Sequence, residues 1–224
     1  MIVFLSQMKR IVFIVIIVLF ALRAIAQIPY FAGTVGDGKL YGYTSLKGRP
    51  GLNQQETYTT FQYGLSSHVD AGIDLYTGPD CAYWGALIRG GLPLSQWFNV
   101  GGEVIASFDL NDRMHFSYLT SGLYLNGAIT PDNRLFWCSN TWWVRYRGGY
   151  DTYSNYEYLG YHIPLPQGRS LTPMVGAVHS WQFDDDLQPA AGLYFSFGAY
   201  NLYLWSHDLL ATHPRFVLGL DFVL

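Results

Sequence analysis

The sequence predicts an all-β protein, an antiparallel up-and-down transmembrane β-barrel of about twelve strands (ten to twelve). Large apolar residues alternate with small or charged residues, and turn residues interrupt this alternation at near-regular intervals. Hydrophobic residues make up 50% of the chain and aromatic residues 17%, whereas only 13% of residues are charged. A soluble domain usually carries about 25% charged residues. These features together favour a sheet with one lipid-facing side.

The composition also excludes several classes of protein. Low charge combined with high hydrophobicity excludes intrinsic disorder. Lys and Arg number 13 against 16 Asp and Glu, which leaves no basic excess for binding a nucleic acid. Two cysteines are too few for a disulfide scaffold. The histidines show no metal-ligand spacing, and we expect neither a metal nor a cofactor.

The first residues have the features of an export signal. Met8-Lys9-Arg10 is a short basic region, residues 11–22 are an apolar run, and Ala24-Ile25-Ala26 has the small residues that signal peptidase reads. The apolar run is shorter than the ~20 residues of a spanning helix, which favours a cleaved signal over an anchor. We therefore predict a signal peptide at residues 1–26 and a single outer-membrane barrel domain at residues 27–224.

Period-two alternation defines the predicted strands. It is clearest at residues 69–75, where odd positions are apolar and even positions are Asp or Gly, and it recurs at 98–104 and 216–224. Prolines stand at the apparent strand ends, where proline is tolerated, except for Pro173, which falls inside a strand. The predicted strands are 39–46, 56–65, 69–78, 81–92, 97–109, 114–127, 133–147, 154–163, 171–183, 189–198, 200–207 and 214–224.

The predicted connections differ between the two ends of the barrel. Those after the second, fourth, sixth and tenth strands are tight, whereas most of the others are longer and more polar. We therefore expect short turns at one end and loops at the other.

Aromatic residues near the strand ends indicate which face meets lipid. Tyr and Trp combine an apolar ring with a polar tip, which suits the membrane interface. On this basis we assign an interfacial girdle to Tyr76, Tyr83, Trp84, Trp97, Phe98, Trp142, Trp143, Tyr146, Tyr156 and Tyr158.

The last strand carries a more specific signal. Phe216, Leu218, Leu220, Phe222 and Leu224 are all large and apolar at alternate positions. This resembles the C-terminal recognition strand of bacterial outer-membrane barrels, although the usual final residue is aromatic. The resemblance implies location in a bacterial outer membrane, with lipid, lipopolysaccharide and the barrel-assembly machinery as partners. We expect Leu218, Leu220 and Phe222 to face lipid.

Residues 58–73 add a second resemblance. A strand ending in Tyr63-Gly64-Leu65 turns through small polar residues and returns with alternating acid and Gly. This resembles a hairpin of small barrels that have phenol meta-pathway or transporter roles. It implies a transport function.

Charged residues on the predicted inner faces are the candidate functional residues. They are Asp70, Asp74, Arg89, Glu103, Arg145 and Asp221. Such side chains either line a path that selects charged or polar solutes, or pair with one another and fill a narrow lumen. Periodicity leaves both interpretations open.

Several other groups have a functional and an ordinary interpretation. His207, Asp208 and His213 share one loop, and Asp184-Asp185-Asp186 lie in another; either set could hold a cation or be solvated loop residues. Cys81 and Cys138 reach an oxidising compartment and could pair. We expect two free thiols, because Cys81 begins a strand and Cys138 lies within one, on its lipid face.

A catalytic unit is the remaining candidate. Ser139, Ser180 and His179 are possible members of a Ser–His pair, but no third group is placed by the sequence. The leading hypothesis is therefore a small channel or transporter for polar or small solutes, without catalysis. A lipid-modifying enzyme and a filled structural or adhesion barrel are the alternatives.

Overall fold

The computed structural model describes residues 32–49, 55–181 and 187–224. The predicted signal peptide and Asp184-Asp185-Asp186 lie outside these residues. Within them, one antiparallel sheet follows chain order, and its last strand pairs with its first. The strands are β1 (Leu40–Gly48), β2 (Glu56–Gly64), β3 (Val69–Thr77), β4 (Ala82–Pro93), β5 (Asn99–Asp109), β6 (His115–Ala128), β7 (Leu135–Tyr146), β8 (Asp151–Tyr161), β9 (Ile163–Leu165), β10 (Arg169–Ser180), β11 (Leu187–Phe197), β12 (Tyr200–Ser206) and β13 (Phe216–Val223).

The wall of this closed barrel has twelve strand positions in the described part of the chain, as the sequence predicts. β8 and β9 pair with the same neighbour, β10, in one continuous register. The break between them lies where Tyr161 would face Pro173, which has no N–H to donate. The unusual proline therefore interrupts one strand without opening the barrel. In the same residues, no helix is long and apolar enough to cross a membrane.

Side chains alternate between an apolar outer face and a tightly packed inner face. On β13, Leu218 is 51% exposed, whereas Asp221 has no exposed surface. The outer face displays large apolar side chains around the wall, among them Leu46, Phe61, Ile73, Ile88, Leu123, Leu159, Val175, Leu193, Leu202 and Leu204. The predicted orientation of β13 is confirmed.

The two chain ends meet at one rim of the barrel. Leu40 and Leu224 exchange two backbone hydrogen bonds there, 2.9 and 2.8 Å long. We call this the terminus rim and the opposite one the loop rim. The tightest connection at the terminus rim is Gly198-Ala199, whereas residues 207–215 form a long connection at the loop rim.

Glycines on the inner face accommodate aromatic rings on the neighbouring strand. Gly192 lies directly opposite Trp205, and a Cβ at Gly192 would stand 2.2 Å from the indole ring. Gly219 faces Tyr203 and Gly176 faces Tyr158 in the same way. This is aromatic coverage of a cross-strand glycine. The glycine-rich inner face therefore makes room for aromatic rings and also lines the lumen.

These rings belong to a core inside the barrel. It joins inward side chains of β7, β8 and β10 to β13, namely Cys138, Tyr158, Met174, Val178, Ala190, Tyr194, Tyr203, Trp205 and Val217. The lipid-face assignment of Cys138 is therefore wrong: the thiol is buried in the inner cluster. This cluster fills one sector of the interior.

The predicted girdle is only partly correct. Trp97, Phe98 and Trp143 are exposed outside the barrel interior. The other assigned residues except Trp84 face inward and line the internal space, namely Tyr76, Tyr83, Trp142, Tyr146, Tyr156 and Tyr158. An amphipathic ring suits a membrane interface and a polar lumen equally well, and its position near a strand end does not distinguish them.

Replacement of Gly192 by Ala tests the glycine–aromatic packing. The new methyl overlaps the buried Trp205 ring, and we expect a loss of about 1–3 kcal/mol in the free energy of unfolding. Gly90→Ala is the control, because its Cβ meets the nearest atom at an ordinary 3.6 Å. This variant should gain about 0.5 kcal/mol from strand propensity. Urea unfolding in lipid vesicles measures both, and equal stabilities would contradict the packing.

Candidate functional site

Two adjoining cavities occupy the part of the interior that the core leaves free. One has a volume of about 310 Å³ and lies beside Arg89 and Glu103. The other has a volume of about 620 Å³ and extends toward Lys47, Cys81 and Trp181. Both cavities are lined by Tyr43, Tyr58, Trp142, Tyr156, His207 and Val217. They therefore adjoin along these six residues, and we refer to the two cavities together as the internal space.

This space follows the inner face of β4 over most of the barrel height. Leu87 and Arg89 line the smaller cavity, and Cys81, Tyr83 and Gly85 line the larger one. From residue 81 to residue 89 a strand covers about 26 Å, at ~3.3 Å per residue. Strands of membrane barrels tilt by about 35–45°, so this length is about 20 Å along the membrane normal, against a hydrocarbon core of ~30 Å.

Arg89 and Glu103 form the charged centre of the smaller cavity. They are cross-strand partners on β4 and β5, with Nη1 and Oε2 3.6 Å apart. The Arg89 guanidinium also lies 4.5 Å from the centre of the Tyr124 ring. Both charged side chains are largely buried. Each charge therefore compensates the other in a site with little access to water.

Asp74 presents a carboxylate to the larger cavity without a cation beside it. Its Oδ1 accepts a hydrogen bond from Thr60 at 2.6 Å, and its Oδ2 accepts one from Tyr58 at 2.6 Å. Two hydroxyl donors stabilise the ionised form, which is an acceptor at both oxygens. Asp74 therefore adds negative potential to the internal space.

Asp70 and Asp221 are inward but have no exposed surface. Asp221 Oδ1 accepts a hydrogen bond from the Asn201 amide at 2.6 Å. Asp70 Oδ2 accepts one from the backbone N–H of Val35 at 2.8 Å. These two carboxylates therefore act as buried acceptors for other parts of the protein, and neither lines the two cavities.

Arg145 departs from the predicted set, because it points outward. Trp142, Val144 and Tyr146 of β7 line the larger cavity, so the residue between Val144 and Tyr146 faces the opposite side. The Arg145 side chain is 59% exposed and lies 3.5 Å from Asp151, its cross-strand partner. Its prediction as a lumen residue is wrong.

No pattern in the sequence indicates a segment that runs inside the terminus rim. Residues 32–38, which we call the inner segment, precede β1 and lie against the inner faces of β2 to β5. Arg89 Nε donates a hydrogen bond to the Gly33 carbonyl at 2.9 Å. Ala32 is buried against the backbone of the wall. The segment therefore reaches the charged centre of the smaller cavity.

At the loop rim, a buried ion pair ties two connections together. Arg49 Nη2 lies 2.8 Å from Asp208 Oδ2, and Asp208 Oδ1 accepts a hydrogen bond from the Arg215 backbone N–H. Arg49 also donates to the His213 carbonyl. Burial, with Lys47 and Arg215 nearby, lowers the pKa of His207 to about 3. The sequence left open a cation site at His207, Asp208 and His213. In the structure the Asp208 carboxylate is already paired with Arg49.

The possible catalytic residues do not assemble in the described part of the chain. His179 and Ser180 are neighbours in β10 and therefore point to opposite faces. The Ser180 hydroxyl lies 3.0 Å from that of Ser154 inside, and Ser139 donates to Glu157 outside at 2.6 Å. Cys81 and Cys138 are both free thiols.

Comparison with solved structures finds a similar fold in small outer-membrane porins. No protein family and no curated protein matches the chain. The KdgM porin in complex with oligogalacturonate has a TM-score of 0.61 at 8% identity, covering 81% of this chain and 98% of that one. The NanC porin has a TM-score of 0.56 at 13% identity, covering 81% of this chain and 98% of that one. The COG4313 outer membrane channel from Pseudomonas putida F1 has a TM-score of 0.52 at 11% identity, covering 88% of this chain and 100% of that one.

The Arg89–Glu103 and Arg145–Asp151 ion pairs offer a matched test of which charges are internal. Arg89→Met leaves Glu103 buried without its cation, and we expect it to cost about 3–5 kcal/mol of unfolding free energy. Arg145→Met removes an exposed pair and should cost at most about 1 kcal/mol. Urea unfolding followed by tryptophan fluorescence measures both. A tolerated Arg89→Met would show that the internal pair is solvated.

Proposed function

We propose that this chain is a narrow outer-membrane channel for small polar solutes. The internal space along β4 is the observation that carries the proposal: it follows the strand for about 26 Å. Its lining combines hydroxyl, amide and charged groups with aromatic rings. Such a lining gives a small polar solute hydrogen-bond partners as water is removed.

The outer face supports the proposed location. A closed barrel leaves no edge along its wall, so every described strand except the three-residue β9 has hydrogen-bonded neighbours on both sides, as lipid demands. Large apolar side chains such as Leu218 and Leu204 cover the middle of neighbouring strands. We propose contacts with outer-membrane lipid and lipopolysaccharide here, and recognition by the barrel-assembly machinery through β13.

The charge of the lining favours neutral or cationic solutes. Glu103 is paired with Arg89, and Glu56 with Lys47 at 3.3 Å, whereas Asp74 has only hydroxyl partners. The net potential of the internal space is therefore negative. An anionic solute such as the oligogalacturonate in the KdgM structure does not suit this lining.

A closed structural barrel is the second candidate function. The inner core of Tyr158, Tyr194, Tyr203 and Trp205 with its neighbours favours it, because these rings fill one sector of the interior. Single-channel recording in planar bilayers distinguishes the two functions: discrete conductance steps support the channel, and their absence supports the filled barrel.

Cation selectivity provides a direct test of the lining. Under a potassium chloride gradient, the wild-type reversal potential should indicate preference for potassium, and Asp74→Asn should reduce it. Asp112→Asn is the control, because it removes the same charge from an exposed side chain at the loop rim. Anion preference in the wild type, or equal shifts in the two variants, would contradict the proposed path.

The membrane orientation is tested on β13 and its preceding loop. Leu218→Arg places a charge on the outer face, and we expect it to cost ~2–4 kcal/mol or to prevent assembly. Leu210→Arg is the control, because Leu210 lies at the loop rim and is 81% exposed. Heat-modifiable migration on gels reports assembly of both variants in outer-membrane fractions. Normal assembly of Leu218→Arg would show that this face does not meet lipid.

A further inference from the structure

We propose that the inner segment, residues 32–38, forms the narrowest part of the solute path and limits its conductance, with Asp70 and Arg89 as positioning residues. This inference rests on the proposed channel function and goes beyond it, because it assigns the restriction to a short stretch of backbone and not to wall side chains. The evidence comes from position, from hydrogen bonds and from glycines in the wall.

The inner segment lies where the internal space ends along β4. Arg89 lines the smaller cavity, and the next inward residue of β4 is Gly91. A Cβ at Gly91 would stand 2.7 Å from the Ala32 carbonyl oxygen. The segment therefore occupies the lumen immediately beyond the cavity, between it and the terminus rim.

Four hydrogen bonds attach the segment to three wall strands and one turn. The Val35 N–H donates to Asp70, and Arg89 donates to the Gly33 carbonyl. The Thr34 hydroxyl donates to the Ser67 carbonyl at 2.8 Å, and the Gly38 N–H donates to the Gly64 carbonyl at 2.9 Å. Two of these bonds involve charged groups, which form the stronger class of hydrogen bond.

Glycines in the wall make room for the segment at three positions, Gly64, Gly91 and Gly101. A Cβ at Gly101 would lie 2.6 Å from the Ala32 carbonyl oxygen, and one at Gly64 would lie 1.8 Å from that of Gly36. Side chains at these positions are incompatible with the observed course. Gly36 and Gly38 have φ of 96° and 69°, which lets the chain turn from the segment into β1.

Asp70 is the residue whose removal should release the segment. Asp70→Ala deletes the acceptor of the Val35 N–H, and single-channel conductance should rise at least about twofold as the restriction opens. Asp221→Ala is a matched control: both carboxylates are fully buried and each accepts one hydrogen bond, but Asp221 accepts from Asn201. Its conductance should equal that of the wild type.

A labelling measurement follows the segment itself. Ala32→Cys is introduced with Cys81→Ser and Cys138→Ser, so that it is the reactive thiol. Buried Ala32 predicts protection from a membrane-impermeant maleimide. Adding Asp70→Ala should raise the labelling rate at least about tenfold, since one charge-assisted hydrogen bond is lost, whereas adding Asp221→Ala should leave it protected.

Every outcome bears on the inference. Higher conductance and faster labelling in Asp70→Ala alone support it. If the wild type conducts and Asp70→Ala has the same conductance and labelling rate, the inference is overturned and the channel function stays intact. If Asp221→Ala has the same effects as Asp70→Ala, the inference is overturned, because both results then reflect a general loosening of the barrel. If no variant conducts, the channel function fails and the inference fails with it.

A second variant decides the matter if Asp70→Ala does not assemble. Gly101→Ala displaces the Ala32 carbonyl by overlap and leaves Asp70 in place. Gly90→Ala is its control on the neighbouring strand. Conductance or labelling that rises in Gly101→Ala and not in Gly90→Ala supports the inference, and equal values overturn it.

Discussion

The cross-strand row of Asp70, Arg89 and Glu103 is the constraint on which the interior depends. The three residues are direct partners on β3, β4 and β5 and all point inward. Charges in such a confined space are costly unless each is compensated. Arg89 compensates Glu103, stacks on Tyr124 and binds a backbone carbonyl, and Asp70 binds a backbone N–H. The inner segment therefore completes a charge arrangement that the wall begins.

The opposite sector of the barrel meets the same confinement with apolar packing. Trp205 and Tyr203 cover Gly192 and Gly219 on the adjacent strands, and Tyr158 packs edge-on against Trp205 with ring centres 4.6 Å apart. Rings over glycines fill space without a charge to compensate. The smaller cavity consequently lies between these rings and the charged row, and side chains of both sets line it.

Period two explains which features the sequence could predict. At residues 69–75 apolar side chains alternate with Asp or Gly, and at 218–222 large apolar side chains do the same, so faces and inward carboxylates followed directly. On β7 both faces carry aromatic residues, as in Trp142-Trp143, and the missing contrast led to the wrong sides for Cys138 and Arg145. The inner segment binds through backbone groups, the Val35 N–H and the Gly33 carbonyl, so no side-chain pattern reveals it.

The two interpretations of the inner charges, a lined path and a filled lumen, apply to different parts of the same barrel. Asp74 faces open space, whereas Asp70 and Asp221 serve as buried acceptors with no exposed surface. These three aspartates differ in what lies opposite them and not in strand pattern. Burial by the inner segment or by the aromatic core thus determines whether an inward carboxylate meets a solute or holds the protein together.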